Sequence, residues 1–323
     1  MSCNSILVTG AAGFVGSAVV RHFAGRPSQR VVAASRNPAS RLPANVQSCL
    51  IGSIDRATDW SAALAGVDAV VHCAARVHVM NERAENPLAA FRQVNVEGTL
   101  ALARQAAASG VRRFVFISSI KVNGEQTAVG RPFSADDAPA PLDPYGESKW
   151  EAEQQLLALA RDTDMEVVII RPVLVYGPGV KANFHSMMRW LDKRVPLPLG
   201  AVDNRRSLVY LGNLVDLIEA CIHHPAAANQ VFLASDGHDL STTQLLAQLG
   251  QALGRPARLV PVPAAWLALA ARLLGKGAVA QRLLGSLQVD LGKNKRLLGW
   301  APPVATQTAL ADTAKSYRES RRA

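Results

Sequence analysis

Short β-branched runs alternating with alanine-rich helical stretches predict a doubly wound α/β protein, a parallel sheet with helices on both faces. The strand runs are apolar throughout rather than alternating, as strands buried on both faces are. The chain has 323 residues, 49% of them hydrophobic, enough to bury a large core without disulfide or metal staples. In order, the strand runs are ILVT (6–9), RVVAAS (30–35), AVVHCAA (69–75), FVFISS (114–119) and VVIIRP (167–172). Between them SAVVRHFAG (17–25) and segments centred on 57–65, 88–109 and 145–162 read as helices. After Arg171-Pro172 the rhythm breaks into Gly/Pro-rich segments such as YGPGVKANF. One more unit, SLVYLGNLVDLIEACI and then VFLAS, precedes a mainly helical tail from about 240 with too little continuous core of its own. The expected division is 1–171 plus 207–234 for the sheet domain, and 172–206 plus 235–323 for a smaller, mainly helical lobe.

A formal net charge of +10 raises the question of an anionic partner. The basic residues are scattered, with Arg-Arg pairs only at Arg112-Arg113, Arg205-Arg206 and Arg321-Arg322. No nucleic-acid-binding motif accompanies them, so nucleic acid is not the expected partner and a phosphate-bearing small molecule is. Cysteines at 3, 49, 73 and 221 form no C-x-x-C pair or metal spacing, which fits a reducing cytoplasm and no metal site. The first residues, MSCNSILVTG, lack a basic region and reach a glycine after a short apolar run, unlike a secretory leader. The apolar stretch from Val262 to Leu274 carries a proline and an arginine and is too short to span a bilayer. It reads as a buried or interfacial helix.

Chemistry enters at Thr9-Gly10-Ala11-Ala12-Gly13-Phe14-Val15-Gly16, directly after a strand and before a helix. Gly10 suits the tight turn, Gly13 a close approach to pyrophosphate and Gly16 close helix-on-strand packing. The helix N-terminus then favours the phosphates of a dinucleotide, as in Rossmann folds. Strand two ends in Ala34-Ser35-Arg36-Asn37. A carboxylate there would bond a ribose 2′-hydroxyl, whereas Arg36 can receive a 2′-phosphate, so NADP(H) is favoured and NAD is the alternative. A third signal is Tyr145-Gly146-Glu147-Ser148-Lys149, opening a helix with Asp143 as N-cap and Pro144 at N1. Residues i and i+4 share a helix face, so the Lys149 ammonium is expected beside the Tyr145 phenol. There it would lower the phenol pKa and make Tyr145 a usable proton donor and acceptor. Ser118-Ser119 end the FVFISS strand, where ligands of an open α/β sheet lie.

With these motifs, and with HCAAR (72–76), VNVEGT (94–99), RPVLVYGP (171–178), RRSLVYLGNLVD (205–216) and LGW (298–300), nearly the whole chain resembles the extended short-chain dehydrogenases/reductases of the epimerase/dehydratase group. The resemblance implies a cytoplasmic enzyme that modifies nucleotide sugars, with a UDP-sugar as its partner molecule and the smaller lobe as the nucleotide-sugar site. It implies Tyr145 as acid/base, Lys149 as its partner and nicotinamide-ribose ligand, and Ser119 as the hydroxyl on the substrate carbonyl oxygen. Gly10, Gly13, Phe14, Gly16 and Ala74 become cofactor contacts, and Asn95 orders the helix behind the site. Ser53-Ile54 stand where the family often has an Asp and an apolar residue beside the adenine. Arg76 and His78 would line the sugar pocket. Asn183 and Arg206 would contact the diphosphate, and Arg282 the ribose or phosphate. A homodimer through the helices at 88–109 and 145–162 is the family expectation.

The resemblance also bears on the reaction. Ile120 and Lys121 follow Ser119 where 4,6-dehydratases carry an Asp-Glu pair, so elimination of water has no evident catalyst. Epimerases usually hold NAD through a strand-two acid, which Arg36 replaces. The segments HCAARVHVMNE, SSIKVNGE and VKANF look most like reductases of UDP-4-keto-6-deoxy-N-acetylhexosamines in bacterial polysaccharide synthesis. The expectation is therefore an NADPH-dependent 4-ketoreductase, with a UDP-hexose 4-epimerase holding NAD as the alternative. A catalytically inactive nucleotide-sensing relative is a second alternative, disfavoured by the presence of Ser119, Tyr145 and Lys149 together.

Overall fold

The structure, a computed structural model, describes residues 3–37, 42–77 and 86–321. Seven parallel strands form one sheet: β1 (Ser5–Thr9), β2 (Arg30–Ser35), β3 (Val46–Leu50), β4 (Ala69–His72), β5 (Arg113–Ile117), β6 (Glu166–Pro172) and, beyond a separate pair, β9 (Val231–Ala234). Their order is β3-β2-β1-β4-β5-β6-β9. The separate parallel pair is β7 (Leu174–Tyr176) with β8 (Leu208–Tyr210). Successive residues of a strand point to opposite faces: Ile6, Val8, Val31 and Ala33 join one core cluster, while Leu7, Val32 and Ala34 join the other. Helices Phe14–Ala24 and Leu211–His223 cover the first face, and helices Thr99–Ala108 and Pro144–Asp162 cover the second.

A third cluster joins Tyr176, Phe184, Met188 and Leu208 to Leu245, Leu249, Leu310 and Tyr317. The tail therefore has no core of its own but completes one with the 176–208 segment. Asp236, just past β9, ties this region to the sheet domain. It accepts from the Tyr176 hydroxyl at 2.7 Å, the Tyr210 amide at 2.7 Å and Asn213 at 2.8 Å.

Four local features depart from expectation. Strand β3 has the sequence VQSCL and lies half-exposed at the sheet edge, so it carries no apolar run to announce it. The helix expected over 57–65 shortens to Ser61–Leu64, because Asp55 and Asp59 carboxylates hold the preceding residues in turns by bonding the Ala57 and Ser61 amides. The helix expected over 88–109 contains a π-helical stretch at Gln93–Gly98, a feature that often marks functional sites. The apolar stretch near 262–274 forms helix Ala264–Leu273, and it is not buried: none of its residues is.

Candidate active site

The C-terminal ends of neighbouring β1 and β4 flank the point where strand order reverses, the place where open α/β sheets hold ligands. Gly10, immediately after β1, has φ +65°, and a Cβ there would stand 2.8 Å from the Ala74 backbone nitrogen. Gly16 packs so closely that a Cβ would collide with the Gly10 carbonyl oxygen. Gly13, the N-cap, donates its amide to the Gly10 carbonyl at 2.8 Å, and the Ser17 amide closes on the Gly13 carbonyl at 3.0 Å. The intervening amides are the unpaired donors of a helix start, with no acid in the first turn to compete for them. This cradle fits a dinucleotide pyrophosphate. Beneath it the buried His72 imidazole bridges Thr9 at 2.7 Å and Thr99 at 3.0 Å. Burial, aided by the Lys149 charge, pushes the His72 pKa down to about 3, so the bridge is neutral.

Helix Pro144–Asp162 carries Tyr145 and Lys149, the residues expected to transfer protons. The Asp143 carboxylate caps it, accepting from the Gly146 amide at 2.7 Å, and Lys121 forms an ion pair with Asp143. Lys149 is buried at the end of β5, donating to the Ile117 carbonyl at 2.9 Å with its ammonium 4.4 Å from the Phe116 ring centre. Burial lowers its pKa to about 8, against the pull of Glu153. Tyr145 packs edge-on to Phe91, with ring centres 6.0 Å apart, and its hydroxyl makes no hydrogen bond among the described residues. The expected lowering of its pKa does not occur in the protein alone. Burial, and then the Asp143 charge, push Tyr145 up to about 12, and Lys149 is spent on Ile117 rather than on the phenol. Ser119 caps the short turn Ile120–Val122, its hydroxyl accepting from the Lys121 amide at 3.3 Å while staying partly exposed. Asn95, in the π-helical stretch, clasps both backbone groups of Arg76 (2.8 and 3.0 Å) and donates to Ser148 at 3.0 Å.

The strand order and overall fold find their counterparts among known proteins. The profile of the "NAD dependent epimerase/dehydratase family" matches residues 6–234. The chain belongs to this family. It is 50% identical over 318 residues to a UDP-glucose 4-epimerase of Vibrio cholerae, covering 98% of this chain and 96% of that one. It is 28% identical to an N-acetyl-alpha-D-glucosaminyl-diphospho-ditrans,octacis-undecaprenol 4-epimerase of Escherichia coli O157:H7, over 80% and 76% of the two chains. Among solved structures, UDP-glucuronic acid 4-epimerase of Bacillus cereus in complex with NAD shares the fold at TM-score 0.78 and 21% identity, covering 98% and 99% of the chains. MoeE5 in complex with UDP-glucose and NAD superposes at TM-score 0.77 with 25% identity, over 98% and 100%. The chain is accordingly an enzyme of the NAD-dependent epimerase/dehydratase family.

Within this family frame the remaining expected residues fall unevenly. Phe14 opens the glycine-turn helix and is half-buried. Arg36 is exposed at the end of β2. Ser53 donates to Asp55 at 2.5 Å, an acid two residues past the expected position, and Ile54 packs on Gly98. The Arg76 guanidinium lies 5.8 Å from the Phe91 ring centre, while His78 lies outside the described residues. Arg206 does not stand free for a diphosphate: it is half-buried and donates to the Gly285 carbonyl at 3.0 Å. Asn183, on helix Ala182–Asp192, and Arg282, on helix Gly277–Leu284, are both exposed.

Sequence reasoning missed the support behind the site. Ser118 donates to the buried Glu153 at 2.5 Å, Glu153 is paired with the buried Arg171, and Arg171 donates to Asn123 at 2.9 Å. No local spacing signals this network, because Glu153 and Arg171 lie 18 residues apart. Two cavities of about 600 and 820 Å³ lie elsewhere, one beside Arg92, Arg104 and Glu151 and one beside His238, Gln251 and Thr306. Neither contains Ser119, Tyr145 or Lys149. The candidate site rests instead on the strand ends and the glycine turn.

Proposed function

We propose that the protein is a UDP-hexose or UDP-N-acetylhexosamine 4-epimerase with firmly held NAD. The observation that carries this is the 50% identity across 98% of the chain to a UDP-glucose 4-epimerase. It outweighs the missing strand-two acid, since Arg36 is an exposed residue at the rim rather than part of the packed cradle. The bound NAD supplies a hydride acceptor and donor at the sugar C4. Tyr145 takes the C4 hydroxyl proton as that carbon is oxidised and returns it to the oxygen once the other face of the sugar is presented. Ser119 donates a hydrogen bond to the same oxygen, so charge stabilisation converges on one atom. With its phenol raised to about 12, Tyr145 starts as an acid. It needs a local positive charge to act as a base at neutral pH, and the Lys149 ammonium one turn along its helix would supply it on turning from the Ile117 carbonyl.

The test offers purified protein UDP-glucose and UDP-N-acetylglucosamine with no added nucleotide and follows the galacto epimers by proton NMR. Epimer formation, with near-stoichiometric NAD released on denaturation, is the expected result. Turnover only of a 4-keto sugar, with NADPH consumed, would return the case to the ketoreductase. Arg36→Ala should leave the NAD content within about twofold, because an exposed arginine adds little to an uncharged 2′-hydroxyl. A large loss of nucleotide would restore the 2′-phosphate reading.

A further inference from the structure

Helix Ala264–Leu273 and helix Gly277–Leu284 form a hairpin whose outer side is apolar and uncovered. Trp266, Leu269 and Leu273 occupy positions i, i+3 and i+7, one stripe of the first helix, and are 73%, 61% and 79% exposed. Leu274 and Val279 extend the apolar surface past the turn. The inner side is held firmly. Leu267 and Leu284 pack on the third core cluster, and the carbonyls of Leu283 and Gly285 accept from Asn204, Thr242 and Arg206 at 2.6 to 3.2 Å. The exposed stripe is therefore presented by a fixed element.

Its charge is one-sided. Between Asp239 and Asp290 the sequence has no Asp or Glu, but it has Arg255, Arg258, Arg272, Lys276 and Arg282. Arg255 is spent on Asp192, whereas Arg272, Lys276 and Arg282 are exposed on the hairpin. A self-complementary contact with a second copy would bring these cations against one another, with no acid in the segment to answer them. Trp and Leu on one side with Arg and Lys beside them is the composition of helices that lie in a lipid interface. A helix of ten residues is about 15 Å long, half the hydrocarbon thickness of a bilayer. It can lie in the surface but not cross.

We propose that the 264–284 hairpin seats the protein on an anionic membrane surface, with Trp266, Leu269 and Leu273 entering the headgroup boundary and Arg272 and Lys276 meeting lipid phosphates. This docking does not depend on which sugar reaction the enzyme runs. The test floats the purified full-length protein with vesicles of phosphatidylethanolamine and phosphatidylglycerol, and separately with phosphatidylcholine vesicles. The wild type should float with the anionic vesicles and much less with the neutral ones. Trp266→Glu/Leu273→Glu should reduce partitioning at least tenfold, and Arg272→Glu and Lys276→Glu by about fivefold each. All of these variants should keep wild-type thermal melting, since the substituted side chains are exposed. Failure of the wild type to float, undiminished flotation of Trp266→Glu/Leu273→Glu, or a change in that variant's oligomeric state by light scattering would each overturn the proposal, the last by assigning the stripe to a second copy.

Discussion

At the scale of single residues, burial determines protonation, and Lys149 is where stability and function pull apart. Its pKa falls from 10.5 to about 8 on burial, so at neutral pH the folded state carries an ammonium that is costly to keep there. The unfolded chain binds more protons between pH 8 and 10.5, and this group's contribution to stability therefore rises with pH through that window. Lys149→Met should raise stability at pH 7 by on the order of 1–2 kcal/mol, flatten the rise and remove turnover. Thermal melts at pH 7 and 9.5 beside an activity assay check it, and a less stable Met variant would refute the account. His72 works the same way at the acid end. With its pKa near 3 against an ordinary 6.5, its contribution to stability falls as pH drops from 6.5 to 3. His72→Gln should show a shallower acid limb in urea titrations at pH 7 and 4.5. The Tyr-x-x-x-Lys spacing correctly put both residues on one helix, but neither the Lys149 bond to Ile117 nor the direction of the tyrosine's shift was legible. That direction depends on burial first and then on the Asp143 charge, and the burial is set by packing with other elements such as Phe91.

At the scale of elements, the sheet was legible wherever its strands are apolar on both faces. β1, β2, β4, β5 and β6 each contain at least three consecutive buried apolar residues, whereas edge strand β3 exposes Gln47, Ser48 and Leu50 and so left no run to read. The glycine turn was equally legible because its spacing is dictated by backbone contacts. Gly16→Ala should abolish nucleotide retention and cost several kcal/mol, since its Cβ meets the rigid Gly10 carbonyl. Gly52→Ala, with nothing within 4 Å, should be near neutral by the same measurements. The link between helix Pro144–Asp162 and β6 was not legible, because a buried pair 18 residues apart has no local signature. Glu153→Gln leaves the Arg171 guanidinium buried without its counter-charge and should cost about 3–5 kcal/mol. Glu153→Leu/Arg171→Met should recover a large part of that loss in chemical denaturation. Equal loss in both variants would show that the pair is not a self-contained unit.

At the scale of the whole molecule, the chain passes from the sheet into the third cluster near Pro172, returns near Leu208, and leaves again after Ala234. Three crossings and one shared acid link the regions. Asp236 is half-buried and takes donors from β7, from the first residues of the Leu211–His223 helix and from the backbone at the end of β8. Tyr210 also reaches Asp312 on the C-terminal helix Thr306–Ser320, which packs beside helix Thr242–Ala252. Removing the carboxylate orphans three donors at once. Asp236→Ala should therefore cost about 3 kcal/mol, with Asp236→Asn costing less because it keeps an acceptor oxygen. Cooperativity makes a sharper claim than the magnitude does. If the regions unfold together, far-ultraviolet circular dichroism and tryptophan fluorescence will report one coincident transition in the wild type, and Asp236→Ala will shift both midpoints equally. Separation of the two curves in the wild type would mean that the helical region melts by itself, and that Asp236 joins two independently stable parts.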